Sequence, residues 1–166
     1  MQSISQLKKK RRQKMIDPED LRIGDLVKVC CDCAFTEGVV CAVTQINPER
    51  AYKEKNGVVT LFCADGTDDG HLGTWCDDIE GIPLTPEILE KNDFKTVSSE
   101  ICYTKSMGDT SRGLERYISI ECKRSDWAVF LKYESLPDHV LIRHIRYVHE
   151  LQHILWALDL DAELKV

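Results

Sequence analysis

A chain of 166 residues, 43% hydrophobic and 30% charged, has room for one ordinary domain or two small ones and the balance of a globular protein. The formal net charge of −6 is uneven: six of the 22 basic side chains stand in the first 14 residues, which hold no acid, so the remaining body sets 16 bases against 28 acids and repels phosphate backbones. No apolar run approaches the ~20 residues of a membrane span, and Lys8-Lys9-Lys10-Arg11-Arg12 leads into Asp17, Glu19 and Asp20 instead of an apolar core, so neither a membrane span nor a secretory leader is expected.

Residues 1–16 read as a flexible basic arm. Leu21 to Cys33 reads as a strand entered through a turn at Gly24-Asp25, where Gly allows the unusual backbone and Asp bonds nearby amides. The phrase Leu21-Arg22-Ile23-Gly24-Asp25-Leu26-Val27 resembles the opening of small SH3-like barrels. A second strand follows from Gly38 to Ile46, then a turn at Asn47-Pro48-Glu49-Arg50. Asn56-Gly57 signals another turn ahead of a third strand, Val58 to Cys63. After a loop over Asp65–Gly73, Trp75 to Ile79 is the closing strand. Short strands with turns between them predict an SH3-like small β-barrel over 17–82.

The remainder, 83–166, starts with a helix signature. Thr85 is an N-cap, Pro86 suits the first helical position and Glu87 the positive end, which predicts about two turns through Lys91. Phe94 opens an extended segment that includes Ile101-Cys102-Tyr103, and Ser106 to Glu115 reads as a polar loop. Tyr117–Cys122 and Trp127–Tyr133 form a hairpin around Ser125-Asp126, with Val140-Leu141-Ile142 as a third strand. A helix from about His144 to Leu158 then buries a stripe of Ile145, Val148, Leu151 or Gln152, Leu155 and Leu158. The class is α+β: a small barrel, a short linking helix, and an antiparallel hairpin or sheet packed by one helix.

Eight cysteines would frame disulfides in a secreted chain, but with no leader expected, reduced thiols and a cytoplasmic location are the expectation. Cys30, Cys41, Cys63, Cys102 and Cys122 sit beside β-branched or aromatic residues in apparent strands, where Cys behaves as a small buried hydrophobe. Cys30-Cys31-Asp32-Cys33, with Cys41, Cys63 or Cys76, is a candidate zinc cluster, yet the pair of C-x₂-C knuckles that zinc modules use is not present. On a strand Cys31 and Cys33 face one side and Cys30 the other, which suits a core better than chelation.

His149-Glu150-Leu151-Gln152-His153 spells H-E-x-x-H. On a helix, His149 and His153 share one face and can hold Zn²⁺, with Glu150 as general base. The third ligand is missing downstream: no histidine follows His153, and only Asp159, Asp161 and Glu163 remain. His71, His139 or His144 would have to serve from upstream. The plainer reading makes this a core helix with partly exposed histidines flanking the apolar stripe. Asp65-Gly66-Thr67-Asp68-Asp69-Gly70-His71 does not match a calcium loop and reads as turn chemistry. Asp77-Asp78 with Glu80 lacks a partner that would set acid and base roles.

Ile145-Arg146-Tyr147-Val148-His149-Glu150-Leu151-Gln152, followed by Leu155, Ala157 and Leu158, resembles the tail of a group of small uncharacterised proteins of Bacteroides-type gut bacteria and their phages and mobile elements. Ile79-Glu80-Gly81-Ile82-Pro83-Leu84-Thr85-Pro86-Glu87-Ile88-Leu89, with Phe94 ending the short helix, is similar to that group's middle segment. The likeness runs over residues 21–158. It implies a barrel-like first part and a tail helix that packs, with a second histidine position often held by another polar residue. It implies no activity. The cysteine-rich first strands and the basic arm depart from the group.

Three functional readings follow. The first is a non-enzymatic interaction module of phage or mobile-element type that binds a protein partner through loops or an exposed strand edge. The second is nucleic-acid association through Lys8, Lys9, Lys10, Arg11, Arg12 and Lys14. The third is a zinc hydrolase using Glu150 with His149 and His153. No cofactor is expected under the first reading, and zinc is the only one the sequence suggests.

Overall fold

A computed structural model describes residues 16–30, 38–52, 55–63, 71–98, 102–109, 113–123, 126–134 and 139–166. The chain divides into two compact units, one through Ile82 and one from Pro83.

The first unit is an open antiparallel sheet. Its strands are β1 (Leu26–Val29), β2 (Val40–Tyr52), β3 (Lys55–Cys63), β4 (His71–Trp75) and β5 (Ile79–Gly81), in the order β4-β3-β2-β1-β5. The edge strands β4 and β5 do not pair, so the expected SH3-like barrel is not formed. The reason lies in β2. Asn47-Pro48-Glu49-Arg50, expected as a turn, runs inside one long strand, and the only sign of it is a register shift between Asn47 and Ala51. A bulge accommodates a proline that an uninterrupted ladder would reject. With β2 and β3 paired along their length, the ribbon is not divided into the short strands that would close a barrel.

Asn56-Gly57 is likewise not the reversal. Ala51 pairs with Asn56 and Tyr52 with Lys55, which places Gly57 within the ladder. Gly57 takes φ +70°, and a Cβ there would lie 2.5 Å from Pro18 Cγ and 3.0 Å from Cys76 Sγ. Glycine is needed twice over at this point, for the left-handed backbone and for the close approach of the Pro18–Asp20 3₁₀ turn. The Gly24-Asp25 turn forms as expected. Asp25 is buried, its Oδ2 accepts the Arg22 N–H at 2.8 Å, and its carbonyl accepts the Val43 N–H at 2.9 Å.

Alternation along these strands sends Val27, Val29, Cys41, Val43, Val59, Leu61 and Ile79 to one face, where they join Ile16, Leu21 and Cys76 in a single core. The described cysteine side chains, Cys30, Cys41, Cys76, Cys102 and Cys122, form no disulfide.

The second unit opens with α1 (Pro86–Lys91). Thr85 Oγ1 accepts the Ile88 N–H at 3.4 Å, as the Thr-Pro-Glu signature predicts. A five-stranded antiparallel sheet follows: β6 (Lys95–Ser98), β7 (Cys102–Asp109), β8 (Glu115–Lys123), β9 (Asp126–Tyr133) and β10 (His139–Ile145), ordered β10-β9-β8-β7-β6. The expected hairpin or three-stranded sheet is therefore too small. The segment after Phe94 contributes two further strands, and β7 extends through Asp109 into what reads as a polar loop. The β8–β9 hairpin keeps one unbroken register from Arg116↔Tyr133 to Lys123↔Asp126. Ile118, Ile120, Trp127, Ala128 and Val129 at its centre are buried.

The final helix, α2, spans Val148–Ala157. It starts four residues later than the apolar stripe suggests, because Ile145 still belongs to β10 and Tyr147 forms a bridge to Pro83. Among the described residues, no helix is long and apolar enough to cross a membrane.

Two outcomes test the first unit. Gly57→Ala should cost about 1–3 kcal/mol of stability in urea denaturation, since the Pro18 ring has little freedom to yield. Burial, with Asp77 and then Asp17 adding repulsion, pushes the Cys76 thiol from 9.0 up to about 11. The folded state then holds a proton that the unfolded chain releases, so this contribution is complete below pH 9 and is lost as pH rises through 11. Urea midpoints measured across that window should fall more steeply for the wild type than for Cys76→Ala.

Candidate functional site

The segment from His139 to Ala157 holds both the zinc-like string and the most exposed apolar surface of the second unit. From His139 to His149 it contains no acid, and its two arginines, Arg143 and Arg146, are each paired with an acid outside that run, Glu150 and Asp126.

The helix start decides what Glu150 does. Tyr147, the N-cap, makes no side-chain capping bond. Glu150, at the third helical position, reaches back instead. Its Oε2 accepts the Arg146 N–H at 2.7 Å and the Tyr147 N–H at 3.0 Å, and its Oε1 lies 3.6 Å from Arg143 Nη2. This is the Glu half of a capping box, in which a carboxylate satisfies the amides at the positive helix end. A general base must be able to reach a metal-bound water, whereas both oxygens here are held at the helix start. Arg146 is fixed in turn by Asp126 at 2.6 and 3.3 Å, and that bidentate pair raises its already high pKa.

His149 is 4% exposed, buried where partial exposure was expected. Its ring stacks on Tyr147 at 5.7 Å and meets the edge of half-buried His153 at 6.0 Å. Val148, Leu151 and Leu155 are fully buried beside it, so the stripe is a core face with His149 included. Of the upstream candidates, the His71 side chain lies outside the described residues, and the other two are engaged or placed elsewhere. His139 sits edge-on to Phe130 at 4.9 Å, and His144 is exposed on β10. Among the described residues, no group of three His, Cys, Asp or Glu side chains could hold a metal ion.

The other sequence candidates are scattered. Lys8, Lys9, Lys10, Arg11, Arg12 and Lys14 lie outside the described residues, as do Cys31, Asp32, Cys33 and the Asp65–Gly70 loop. Cys30 donates its N–H to Asp78 O at 2.9 Å. Cys41 stands opposite Cys63 in the β2–β3 register. Asp77 and Asp78 belong to a 3₁₀ turn, and Glu80 is 3.9 Å from Lys28.

Sequence reasoning missed two features. The first is the edge strand β10, whose side chains from His139 to His144 are all exposed, among them Val140, Leu141 and Ile142. Its apolar run was visible, but its lack of cover was not. The second is Asn92, which is 6% exposed. Its Nδ2 donates to Ile88 O at 2.7 Å and to Lys165 O at 2.8 Å, its Oδ1 accepts the Lys165 N–H at 2.9 Å, and its carbonyl accepts Lys105 Nζ at 3.0 Å. An Asn directly after a helix is a recognised stop signal, which was the one available hint.

Comparison with protein-family models, curated proteins and solved structures finds no match to this chain.

The capping geometry makes a measurable distinction. Gln can occupy the same capping position, so Glu150→Gln should retain most of the stability, while Glu150→Ala should lose about 1–2 kcal/mol. Thermal unfolding followed by circular dichroism reads both.

Proposed function

We propose that this chain is a protein-interaction module that takes up an extended apolar peptide along β10. The observation that carries this reading is the uncovered edge strand. Val140 is 61% exposed and Leu141 47%, and β10 ends the sheet order. An edge strand presents a row of main-chain donors and acceptors that an added strand can pair. Contiguous apolar side chains on such an edge supply the area that makes pairing favourable.

The side chains on the edge select the class of partner. Exposed Val140, Leu141 and Ile142 favour a ligand strand that sets apolar, β-branched side chains beside them. A strand-addition site needs no catalytic group, which agrees with the capping role of Glu150.

Selection from a random peptide display library on the full chain tests the reading. Enriched peptides should be apolar and β-branched, and should slow amide exchange over residues 139–145. Val140→Glu with Ile142→Glu, both on exposed positions, should weaken binding at least about tenfold, a loss of ~1.4 kcal/mol. Peptides that bind this variant as well as the wild type, or a library that yields no binder, would sink the proposal.

A further inference from the structure

The segment after α2 has the character of a peptide held in a groove. At the end of α2, Asp159 adopts φ 57°, and the Leu160 N–H bonds back to Leu155 O at 2.9 Å. This left-handed turn reverses the chain. From Leu160 to Val166 there is neither helix nor strand. The segment is held by side chains of other elements acting on its main chain. Gln152 Nε2 donates to Ala162 O at 3.1 Å. Asn92 takes both the N–H and the carbonyl of Lys165, as a neighbouring strand would. Lys91 Nζ donates to Val166 O at 3.1 Å. One side chain anchors it: Leu164 is 7% exposed, while Asp161, Glu163, Lys165 and Val166 point into solvent.

This division of labour is that of peptide recognition. Buried amides read the main chain without regard to sequence, and a single apolar pocket supplies selectivity. Asn92 Nδ2 is also held by Ile88 O of its own helix at 2.7 Å, a bond that does not involve the segment, and an amide oriented in this way loses little on binding. The segment itself buries one anchor and makes no regular secondary structure, which places it at the low-stability end of the unit.

We infer that the groove between α1 and α2 is a second peptide-binding site, which the chain's own Leu160–Val166 segment occupies and which a partner peptide of the same pattern displaces. The partner is an extended segment with one leucine and a small residue two positions before it, as in Ala162-Glu163-Leu164. The site stands on other elements than β10 and does not depend on the strand-addition reading.

Fluorescence anisotropy with a labelled peptide of residues 159–166 tests it on the full chain. The resident segment competes at an effective concentration of order millimolar, so the wild type should bind weakly. Leu164→Ala should loosen the resident segment and tighten peptide binding at least about tenfold. Adding Asn92→Ala should abolish that gain, and a peptide carrying the leucine-to-alanine change should not bind. A folded Leu164→Ala chain that takes up no peptide overturns the proposal. Amide exchange of the wild type gives a reading free of variants. The Lys165 amide should exchange at least about a hundredfold faster than those of Ile118 and Ile120, because a displaceable segment opens without global unfolding. Equal rates would make the segment part of the core and overturn the proposal. Concentration-dependent dimers that the peptide dissolves would instead assign the groove to a second copy's tail, and would overturn it as stated.

Discussion

One buried amide joins three elements of the second unit at a single point. Asn92 ends α1, and every polar atom of its side chain is bonded within the unit. Through its carbonyl it receives Lys105 of β7, whose ammonium also sits 5.4 Å above the Phe94 ring. A helix end, a strand of the sheet and the closing segment thus meet at one residue. A buried amide left half-satisfied costs about 1–3 kcal/mol for each orphaned group, so the three elements are energetically coupled there. The two helices also end alike. Asp93 and Asp159 both take positive φ, and the Phe94 and Leu160 amides bond back to Leu89 and Leu155. Each turn aims the chain back along the helix it leaves. In the first case this sends it into β6, in the second into the groove beside Asn92.

The H-E-x-x-H string shows how one spelling can serve two chemistries. A zinc helix and a capped helix both use a glutamate close to a histidine. What separates them is where the helix begins. Had it begun near His144, Glu150 would have stood mid-helix with its carboxylate available. It begins at Val148 because β10 keeps Ile145 and the bridge to Pro83 keeps Tyr147. Glu150 thereby falls at the third helical position, where unsatisfied amides compete for its oxygens. Long-range strand pairing, not the local motif, assigns the residue its work.

Local chemistry was legible wherever a few adjacent residues close their own hydrogen bonds. Thr85-Pro86-Glu87 starts α1, Gly24-Asp25 makes the turn into β1, and the β8–β9 hairpin lies where alternation places it. The misreadings have a common cause. Asn47-Pro48 and Asn56-Gly57 carry strong turn signals, yet the long β2–β3 ladder absorbs one as a bulge and the other as a left-handed glycine under Pro18. The polar stretch from Ser106 could not reveal that Glu115 and Tyr117 would pair it into β7 and β8. Nor could His149 be told from a surface residue, because stacking on Tyr147 needs the helix start to be known.

The sequence by itself determined most of the strands and the cap of α1, since these rest on side-chain period and on contacts a few residues apart. Only the tertiary structure decided that the first sheet stays open, that the second has five strands, and that β10 is left uncovered. Tertiary contacts also turned Glu150 into a cap and set Asn92 to grip a segment 73 residues away. These outcomes depend on which strands find each other across the chain. That choice is made by the whole set of pairings at once, and no short stretch of residues contains it.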